Sequence, residues 1–339
     1  MNEGTPGPAS PLAIADIGGT HARFAHAQFG SAGEIELSDP VILETGAYST
    51  FGEAWSAYCE RVPSMHFQQA AFALAGPAGR GRFKLTNGDW HFDADEMRRD
   101  LRLSELLLLN DFAAVAHAVA ALAGGEGLVH IAGPRQPLPR AKTVSVIGPG
   151  TGLGVAHFRW HEGRALVQAT EGAHIDFAPV NEIDDRILAL LRARHERVSL
   201  ERVISGDGIA AIYAALGSNE GNARLDDAPE PLEIWRSGMA GDDQLAARAL
   251  AHFVATLGRV AGDYALAHGA GGVAIAGGLG LRLRAQLAAP AFHEGFTAKG
   301  RYRAMMETVP IKLVTHPQPG LLGAAQAFFS EMPMDGSAP

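Results

Sequence analysis

Val144-Ser-Val-Ile-Gly-Pro-Gly-Thr-Gly-Leu-Gly-Val-Ala-His157 sets the reading of this chain. A β-branched run enters a glycine-dense turn and a second apolar run leaves it, which predicts strand, tight turn, strand. Gly148, Gly150, Gly152 and Gly154 remove side chains from one short turn, so its N–H groups can face inward and approach an anion closely. The predicted element is a phosphate cradle. No Lys-Ser/Thr follows the glycines, so it is not a P-loop, and no register satisfies G-x-G-x-x-G opening a helix, so a dinucleotide site is disfavoured.

The same form occurs near the start, in Ala13-Ile-Ala-Asp-Ile-Gly-Gly-Thr-His-Ala-Arg-Phe-Ala25. One glycine turn by itself usually just closes a hairpin. Two in one chain, with Asp16 poised at the first, suggest two clamps on one polyphosphate.

The 339 residues suffice for about two domains and a large core. A composition of 47% hydrophobic and 19% charged residues is that of an ordinary soluble globular protein. Glycine departs from this: 41 of 339 is about 12%, against ~7% in average usage, so many turns need backbone that comes close to something. A formal net charge of -9 offers no extended basic field, which argues against nucleic-acid and membrane-surface roles. The Arg98-Arg99-Asp-Leu-Arg102 cluster reads as a solvated helix face. Cys59 is the single cysteine, which excludes internal disulfides and a cysteine-built zinc site and suggests a reducing compartment.

The leader Met1–Pro11 is polar and breaker-rich, with neither the basic start nor the apolar centre of a signal peptide, and is expected to be a frayed arm. No apolar run approaches the ~20 residues that cross a bilayer; the Ala-rich stretch after Asp111 is interrupted at His117. A cytoplasmic location is expected.

Residues 12–29 and 41–44 read as strands and 51–62 as a helix with Phe51, Trp55, Tyr58 and Val62 on one face. Ala70–Ala75 is a buried strand stopped by Gly76-Pro77, and Phe83–Trp90 runs into an Asn-Gly turn. Leu106–Leu109 is an apolar strand with Asn110-Asp111 just past its carboxyl end, the edge at which α/β sheets bind ligands. The helix after it should turn Val115, Val119 and Leu122 inward. Asn181 caps a further helix with Glu182, Asp184 and Asp185 in its first turn and Arg192, Arg194 and Arg197 late. A long helix runs from Asp242 to about His268, with Leu245, Phe253, Leu257, Val260 and Tyr264 near one stripe. Gly272–Gly280 is a buried strand leading to another glycine turn. Pro310–Val314 and Gly320–Phe329 close the fold as strand and helix.

In this order the motifs resemble the bacterial glucokinases of the hexokinase, actin and heat-shock chaperone ATPase superfamily. The resemblance spans nearly the whole chain, through Ala15-Asp-Ile-Gly-Gly-Thr20, Leu109-Asn-Asp-Phe112, Gly148–Ala156, Glu171-Gly-Ala-His-Ile-Asp-Phe-Ala-Pro179, Glu201-Arg-Val-Ile-Ser-Gly206, Ala276-Gly-Gly-Leu-Gly280 and Pro319-Gly-Leu-Leu-Gly323. It implies an α/β protein of two domains with the ribonuclease-H-like (actin-like ATPase) fold, duplicated β-sheet cores and an interdomain cleft for ATP and sugar. The expected division is a flexible arm at 1–11, a small domain of 12–121 plus 313–330, a large domain of 122–312, and a tail at 331–339.

The implied activity is transfer of the ATP γ-phosphoryl group to the 6-hydroxyl of glucose. The resemblance makes Asn110 and Asp111 hexose contacts, with Asp111 the general base. From the residues alone Asp111 is equally an N-cap for the helix behind it; the resemblance favours the base. Glu171, His174 and Glu201 match the remaining sugar ligands. Their bland readings are a first-turn helix acid for Glu201 and a buried core histidine for His174. Asp16 is expected to hold Mg²⁺ through water, with Gly18, Gly19 and Thr20 near the terminal phosphates, Gly150, Thr151 and Gly152 cradling them from the other domain, and Gly277 and Gly278 on the nucleoside side. His21 stands where relatives commonly have Asn. His157 and His161, four apart on strand and turn, do not suggest a metal pair.

A kinase of fructose or mannose differs from a glucokinase only in geometry that sequence does not display. A sugar-responsive repressor would need a DNA-reading module before the first clamp, for which residues 1–11 are too few. A silent sugar sensor is expected to lose the base or a clamp, and here both are intact. Relatives suggest a homodimer, although the long helix after Asp242 could equally be core.

Overall fold

The computed structural model describes residues 11–30, 34–76, 82–84, 90–217 and 224–331. Most of the expected arm and tail, and the Thr86-Asn-Gly-Asp89 turn, lie outside the described residues. In chain order the elements are β1 (Leu12–Ile17), β2 (His21–Phe29), β3 (Ile35–Leu37), β4 (Val41–Glu44), α1 (Phe51–Arg61), β5 (Gln69–Leu74), β6 (Arg82–Lys84), β7 (His91–Asp93), α2 (Ala94–Asp100), β8 (Glu105–Asn110) and α3 (Asp111–Leu122). There follow β9 (Leu128–Ala132), β10 (Thr143–Pro149), β11 (Leu153–His161), β12 (Arg164–Thr170), α4 (Glu182–Arg192), α5 (Gly208–Gly217), α6 (Pro231–Ala240) and α7 (Gln244–Ala267). The chain ends through β13 (Ala270–Ile275), α8 (Gly277–Arg282), α9 (Arg284–Leu287), α10 (Pro290–Thr297), α11 (Arg303–Met306), β14 (Ile311–Val314) and α12 (Pro319–Glu331).

The described residues form two compact units. Those up to Leu122, with His161–Ala169 and those from His316 onward, make the first; Ala123–Trp160 and Thr170–Thr315 make the second. Each is α/β and built on a mixed sheet.

The first sheet has the order β3-β2-β1-β5-β8, with β4 also paired to β2. The β1–β2 hairpin is antiparallel, whereas β1, β5 and β8 run parallel in step, with Ile17 beside Leu74 and Leu74 beside Asn110. Strands covered on both faces read as continuous apolar runs, as β1 and β5 do. One face is covered by α1, whose Phe51, Trp55 and Tyr58 pack on Phe24 and Phe72. On the other, Leu321, Ala324 and Phe328 of α12 join Leu12, Ile14 and Ala71.

Helix α3 differs from expectation. Val119 is buried, but Val115 and Leu122 are only partly so; the buried residues besides Val119 are Ala114, Ala116, His117, Ala118 and Ala120. The cause is close packing against α12: a Cβ on Gly323 would come within 1.6 Å of the Ala114 carbonyl oxygen. Only small residues allow two helix backbones this near each other, so the alanine face is the one turned in.

The second sheet has the order β12-β11-β10-β13-β14-β9. The β10–β11 hairpin is antiparallel, and β10, β13 and β14 run parallel. The second unit's core gathers Ile147, Val155, Ile187, Ile209, Trp235, Phe253, Leu257 and Ile275. Helix α7 starts at Gln244, where Asp243 caps it by accepting from the Leu245 and Ala246 N–H groups. Phe253, Leu257, Val260 and Tyr264 are buried as its stripe requires, while Leu245 is only partly covered.

Helix α4 is capped by Asn181, which accepts from the Asp184 N–H at 3.0 Å. Arg192 ends it, but Arg194 and Arg197 lie beyond and pair with Asp226 and Asp176. Asp184, expected simply as a first-turn acid, is completely buried, forms an ion pair with Arg259 at 2.6 Å and is hydrogen-bonded to His252 Nε2 at 2.8 Å. Burial alone would raise its pKa; hydrogen bonds from His252 and Arg259, the Arg259 charge and the Val180 N–H together hold it down at about 2. A carboxylate depressed in the folded state stabilises above its unfolded pKa, and that contribution vanishes as pH falls through the folded value. Denaturant unfolding should therefore show about 2 kcal/mol lost between pH 4 and pH 2 from this group. Asp184→Asn should lack that component, and its unfolding free energy at pH 7 should fall by ~3 kcal/mol because it breaks a buried pair. Parallel acid titrations of the two proteins would contradict this reading.

Candidate active site

In the first unit the expected residues collect at one edge of the sheet. Because β1, β5 and β8 run in register, the turn after β1 and the residues after β8 emerge at the same carboxyl edge, separated by two strand spacings, roughly 10 Å. Gly18, Gly19 and Thr20 form that turn, closed by the Gly18 N–H on the His21 carbonyl at 2.9 Å. Thr45, which the sequence did not single out, braces it: its hydroxyl donates to the Gly19 carbonyl at 2.8 Å and its N–H to the Thr20 carbonyl at 3.0 Å. His21 opens β2 as an exposed residue.

Asp16 sits one residue before the end of β1 with Arg23 3.7 Å away. Burial raises the pKa of its carboxyl, and the Arg23 charge offsets this only in part. The first turn of α12 lies against it, since a Cβ on Gly320 would come within 2.6 Å of Asp16 Oδ2.

Asn110 and Asp111 join β8 to α3. The Asn110 amide is committed at both ends: Nδ2 donates to the Gly76 carbonyl at 2.7 Å, and Oδ1 accepts from the Phe112 and Ala113 N–H groups at 2.9 and 3.0 Å. Asn110 therefore caps α3. Asp111 is the first helical residue, and its Oδ1 accepts from the Phe112 N–H at 2.8 Å. The capping role that competed for Asp111 in the sequence is carried largely by its neighbour.

In the second unit the predicted glycine hairpin is present, with Gly150, Thr151 and Gly152 connecting β10 to β11 and the Gly150 N–H donating to the Gly152 carbonyl at 2.8 Å. The Gly150 carbonyl accepts from the Gly206 N–H at 2.8 Å, and Trp235 Nε1 donates to the Gly206 carbonyl at 2.8 Å. Parallel pairing of β10 and β13 puts Gly277 beside this turn. Gly277 and Gly278 were expected in a turn; they instead open helix α8, with Ala276 as its N-cap residue. The change of direction is concentrated in Gly277, whose φ is +80° and where a Cβ would meet the Pro149 carbonyl oxygen at 2.6 Å.

Glu171 and His174 flank a 3-10 turn and lie 3.8 Å apart, and His174 is 56% exposed, which excludes the core-histidine reading. Glu201 lies in a second 3-10 turn, tied to the first by the Leu200 N–H on the Ile175 carbonyl at 2.9 Å. The three expected sugar ligands are thus brought together. Glu201 also touches the glycine hairpin: Oε2 accepts from the Leu153 N–H at 2.9 Å, and a Cβ on Gly152 would come within 2.4 Å of that oxygen. His157 faces inward and packs against His268 in a tilted pair, ring centres 4.3 Å apart, rather than joining His161. Among the described residues no group of three or more His, Cys, Asp or Glu side chains could hold a metal by itself.

The glucokinase family model matches residues 13–331. The chain belongs to the glucokinase family. It is 44% identical over 315 residues to the glucokinase of Zymomonas mobilis, spanning 92% of this chain and 96% of that protein. It is 39% identical to the glucokinase of Marinobacter nauticus, over 93% and 96% of the two chains. The crystal structure of a glucokinase from an Antarctic psychrotroph superposes with a TM-score of 0.82 at 34% identity, covering 94% of this chain and 99% of that one. The two mixed sheets are those of the actin-like ATPase fold that such sugar kinases share. No helix among the described residues is long and apolar enough to cross a membrane.

Among the partners of these glucokinase motifs, Thr45 and Trp235 carry no motif of their own, and Arg23 and Gly206 lay in quoted stretches without a role. Gly320 lay in a quoted motif without a role. The adjacent glycines of α8 give a sharp test. Gly277→Ala should lower the urea midpoint by the equivalent of ~2 kcal/mol or more, because the added carbon meets backbone at positive φ. Gly278→Ala, with open space around it, should be neutral or gain up to ~1 kcal/mol as a helical alanine. Equal losses in the two variants would refute the turn geometry.

Proposed function

We propose that this glucokinase-family chain transfers the γ-phosphoryl group of ATP to the 6-hydroxyl of glucose, giving glucose 6-phosphate and ADP, with Asp111 as general base. The observation that carries the proposal is the placement of Asp111. It follows β8 at the carboxyl edge of the sheet, on the same edge as the Asp16–Gly19 turn, and the cap next to it is supplied by Asn110. Phosphoryl transfer asks for in-line positioning and charge neutralisation, and one carboxylate accepting the proton of the attacking hydroxyl is sufficient acid–base machinery.

The roles follow from donor chemistry. Asn110, Glu171, His174 and Glu201 hold the sugar, carboxylates accepting from adjacent hydroxyls. The Gly18–Thr20 and Gly150–Gly152 turns offer backbone N–H groups to phosphate oxygens, and Gly277 and Gly278 lie on the nucleoside side. Asp16 fits a water-mediated contact to Mg²⁺: it is an acid whose charged form burial disfavours and a nearby cation would restore. A lone carboxylate is enough, because Mg²⁺ keeps most of its ligands as water and phosphate. When bound, the ion would neutralise charge on the phosphates. We further propose a homodimer acting in the cytoplasm on glucose entering glycolysis. A kinase of fructose or mannose is the second reading, and a non-catalytic sugar sensor a third; the intact base and turns weigh against the sensor.

A coupled assay for ADP across a hexose panel should show turnover that depends on glucose more than on fructose or mannose. Asp111→Asn should lower kcat by at least about 10²-fold with glucose affinity largely retained; equal rates in the two proteins would remove Asp111 from the mechanism. Chelation of Mg²⁺ should abolish turnover and its return restore it, whereas unchanged rates in excess chelator would rule the ion out.

A further inference from the structure

The turn from Glu171 to His174 is held from beneath at a single residue, Gly172. Gly172 donates its N–H to Thr170 Oγ1 at 3.2 Å, and the Thr170 hydroxyl in turn donates to the Val155 carbonyl at 2.9 Å. On its other side the Gly172 carbonyl accepts from the Tyr264 hydroxyl at 2.5 Å and from the Ile175 N–H at 3.0 Å. The fit is tight: a Cβ on Gly172 would lie 3.1 Å from each of Thr170 Oγ1, Tyr264 Cε1 and Val155 Cγ1. Glu171 and His174 themselves point outward and are more than half exposed. Their side chains gain little rigidity from their surroundings, so their placement depends on the backbone between them.

Tyr264 is well built for that task. It lies near the end of α7 and is almost fully buried. Its ring stacks on His268 at 5.6 Å, His268 packs at a tilt against His157 at 4.3 Å, and His268 Nδ1 is 2.8 Å from the hydroxyl of the fully buried Ser145. This file of rings fixes the Tyr264 phenol against two strands of the sheet, β10 through Ser145 and β11 through His157. Burial, aided by Asp263, pushes the phenol pKa up, so the hydroxyl stays a donor throughout the working range. Burial, with the neighbouring His157, holds His268 at about 4, so the stack is uncharged near neutrality.

We infer that Tyr264 is a positioning residue for sugar binding: its hydroxyl, bonded to the Gly172 carbonyl, sets the placement of the Glu171–His174 turn and with it the affinity for the hexose. The inference rests on the proposed sugar role of Glu171 and His174. A ligand held by side chains on a short exposed turn needs that turn fixed to within about half an ångström, and Thr170 and Tyr264 grip the two successive peptide groups that flank Gly172.

The test is steady-state kinetics on Tyr264→Phe, which keeps the ring stack and removes only the donor. The expected result is a glucose KM raised about five- to tenfold, the scale of one lost hydrogen bond, with the ATP KM unchanged, kcat within about twofold and the melting temperature shifted by only a few degrees. Thr170→Val, which releases the Gly172 N–H, should give the same signature. Tyr264→Phe combined with His174→Ala should raise the glucose KM less than the product of the two single effects. Glu171→Gln separates the two levels of the reading. If it raises the glucose KM and Tyr264→Phe does not, the positioning role is overturned while the sugar site stands. If Glu171→Gln and His174→Ala both leave the glucose KM unchanged, the sugar site itself is wrong and the inference falls with it. A lowered melting temperature with unaltered glucose KM in Tyr264→Phe would reduce Tyr264 to a core residue and also overturn the proposal.

Discussion

The Asn110 side chain is the point on which the corner between β8 and α3 depends. A helix beginning directly at a strand's end leaves N–H groups without partners, and a short polar side chain must supply them. Asn110 accepts from two of them and at the same time donates to the Gly76 carbonyl beyond β5. One amide thereby welds the end of β8, the exit of β5 and the start of α3 into a rigid corner. Asp111, the next residue, inherits that fixed position. Exchanging the two residues would put a charged carboxylate on the cap and an amide, which cannot serve as a general base, in the position of Asp111.

Behind the corner, the small-residue contact between α3 and α12 does the structural work that bulky side chains do elsewhere. Ala114 and Gly323 let the helices approach until backbone meets backbone, and the same α12 brings Gly320 over Asp16. The terminal helix thus touches both the α3 backbone and the Asp16 side chain. In the second unit the dependence is on glycine in a different sense: Gly152 makes room for the Glu201 carboxylate, and Gly277 turns β13 into α8 against the Pro149 carbonyl. A carboxylate folded onto the amide of a glycine hairpin also couples an expected sugar ligand to an expected phosphate cradle through one hydrogen bond.

Local pattern carried a large share of this fold. The two glycine hairpins, the buried strand β5, the apolar strand β8, the Asn181 cap and the stripe of α7 were legible because each is encoded within a dozen residues, by apolar runs, helical spacing or cap chemistry. What was hidden is tertiary. The inward face of α3 is set by the proximity of α12, which no periodicity within α3 reports. Asp184 reads as an ordinary first-turn acid until Arg259 and His252, about seventy residues later, are folded over it. Helices α5 and α10 were unread, α5 because it is apolar almost all round and lacks a polar face to define its period. Around the candidate site, the residues named by motif sit on turns and strand ends that the sequence marks, whereas the side chains of Thr45, Trp235 and Tyr264 each bond one backbone carbonyl, a contact that leaves no signature in sequence.

The proposed reaction requires that the sugar's primary hydroxyl, and no other nucleophile, reach the γ-phosphorus of ATP. Nuclear magnetic resonance of a reaction containing ATP, Mg²⁺ and glucose labelled with carbon-13 at carbon 6 observes that step directly. The account predicts a product whose labelled carbon is coupled to phosphorus, appearing in step with ADP. Phosphorus on a different carbon, or ADP accompanied by inorganic phosphate and unaltered glucose, would contradict it.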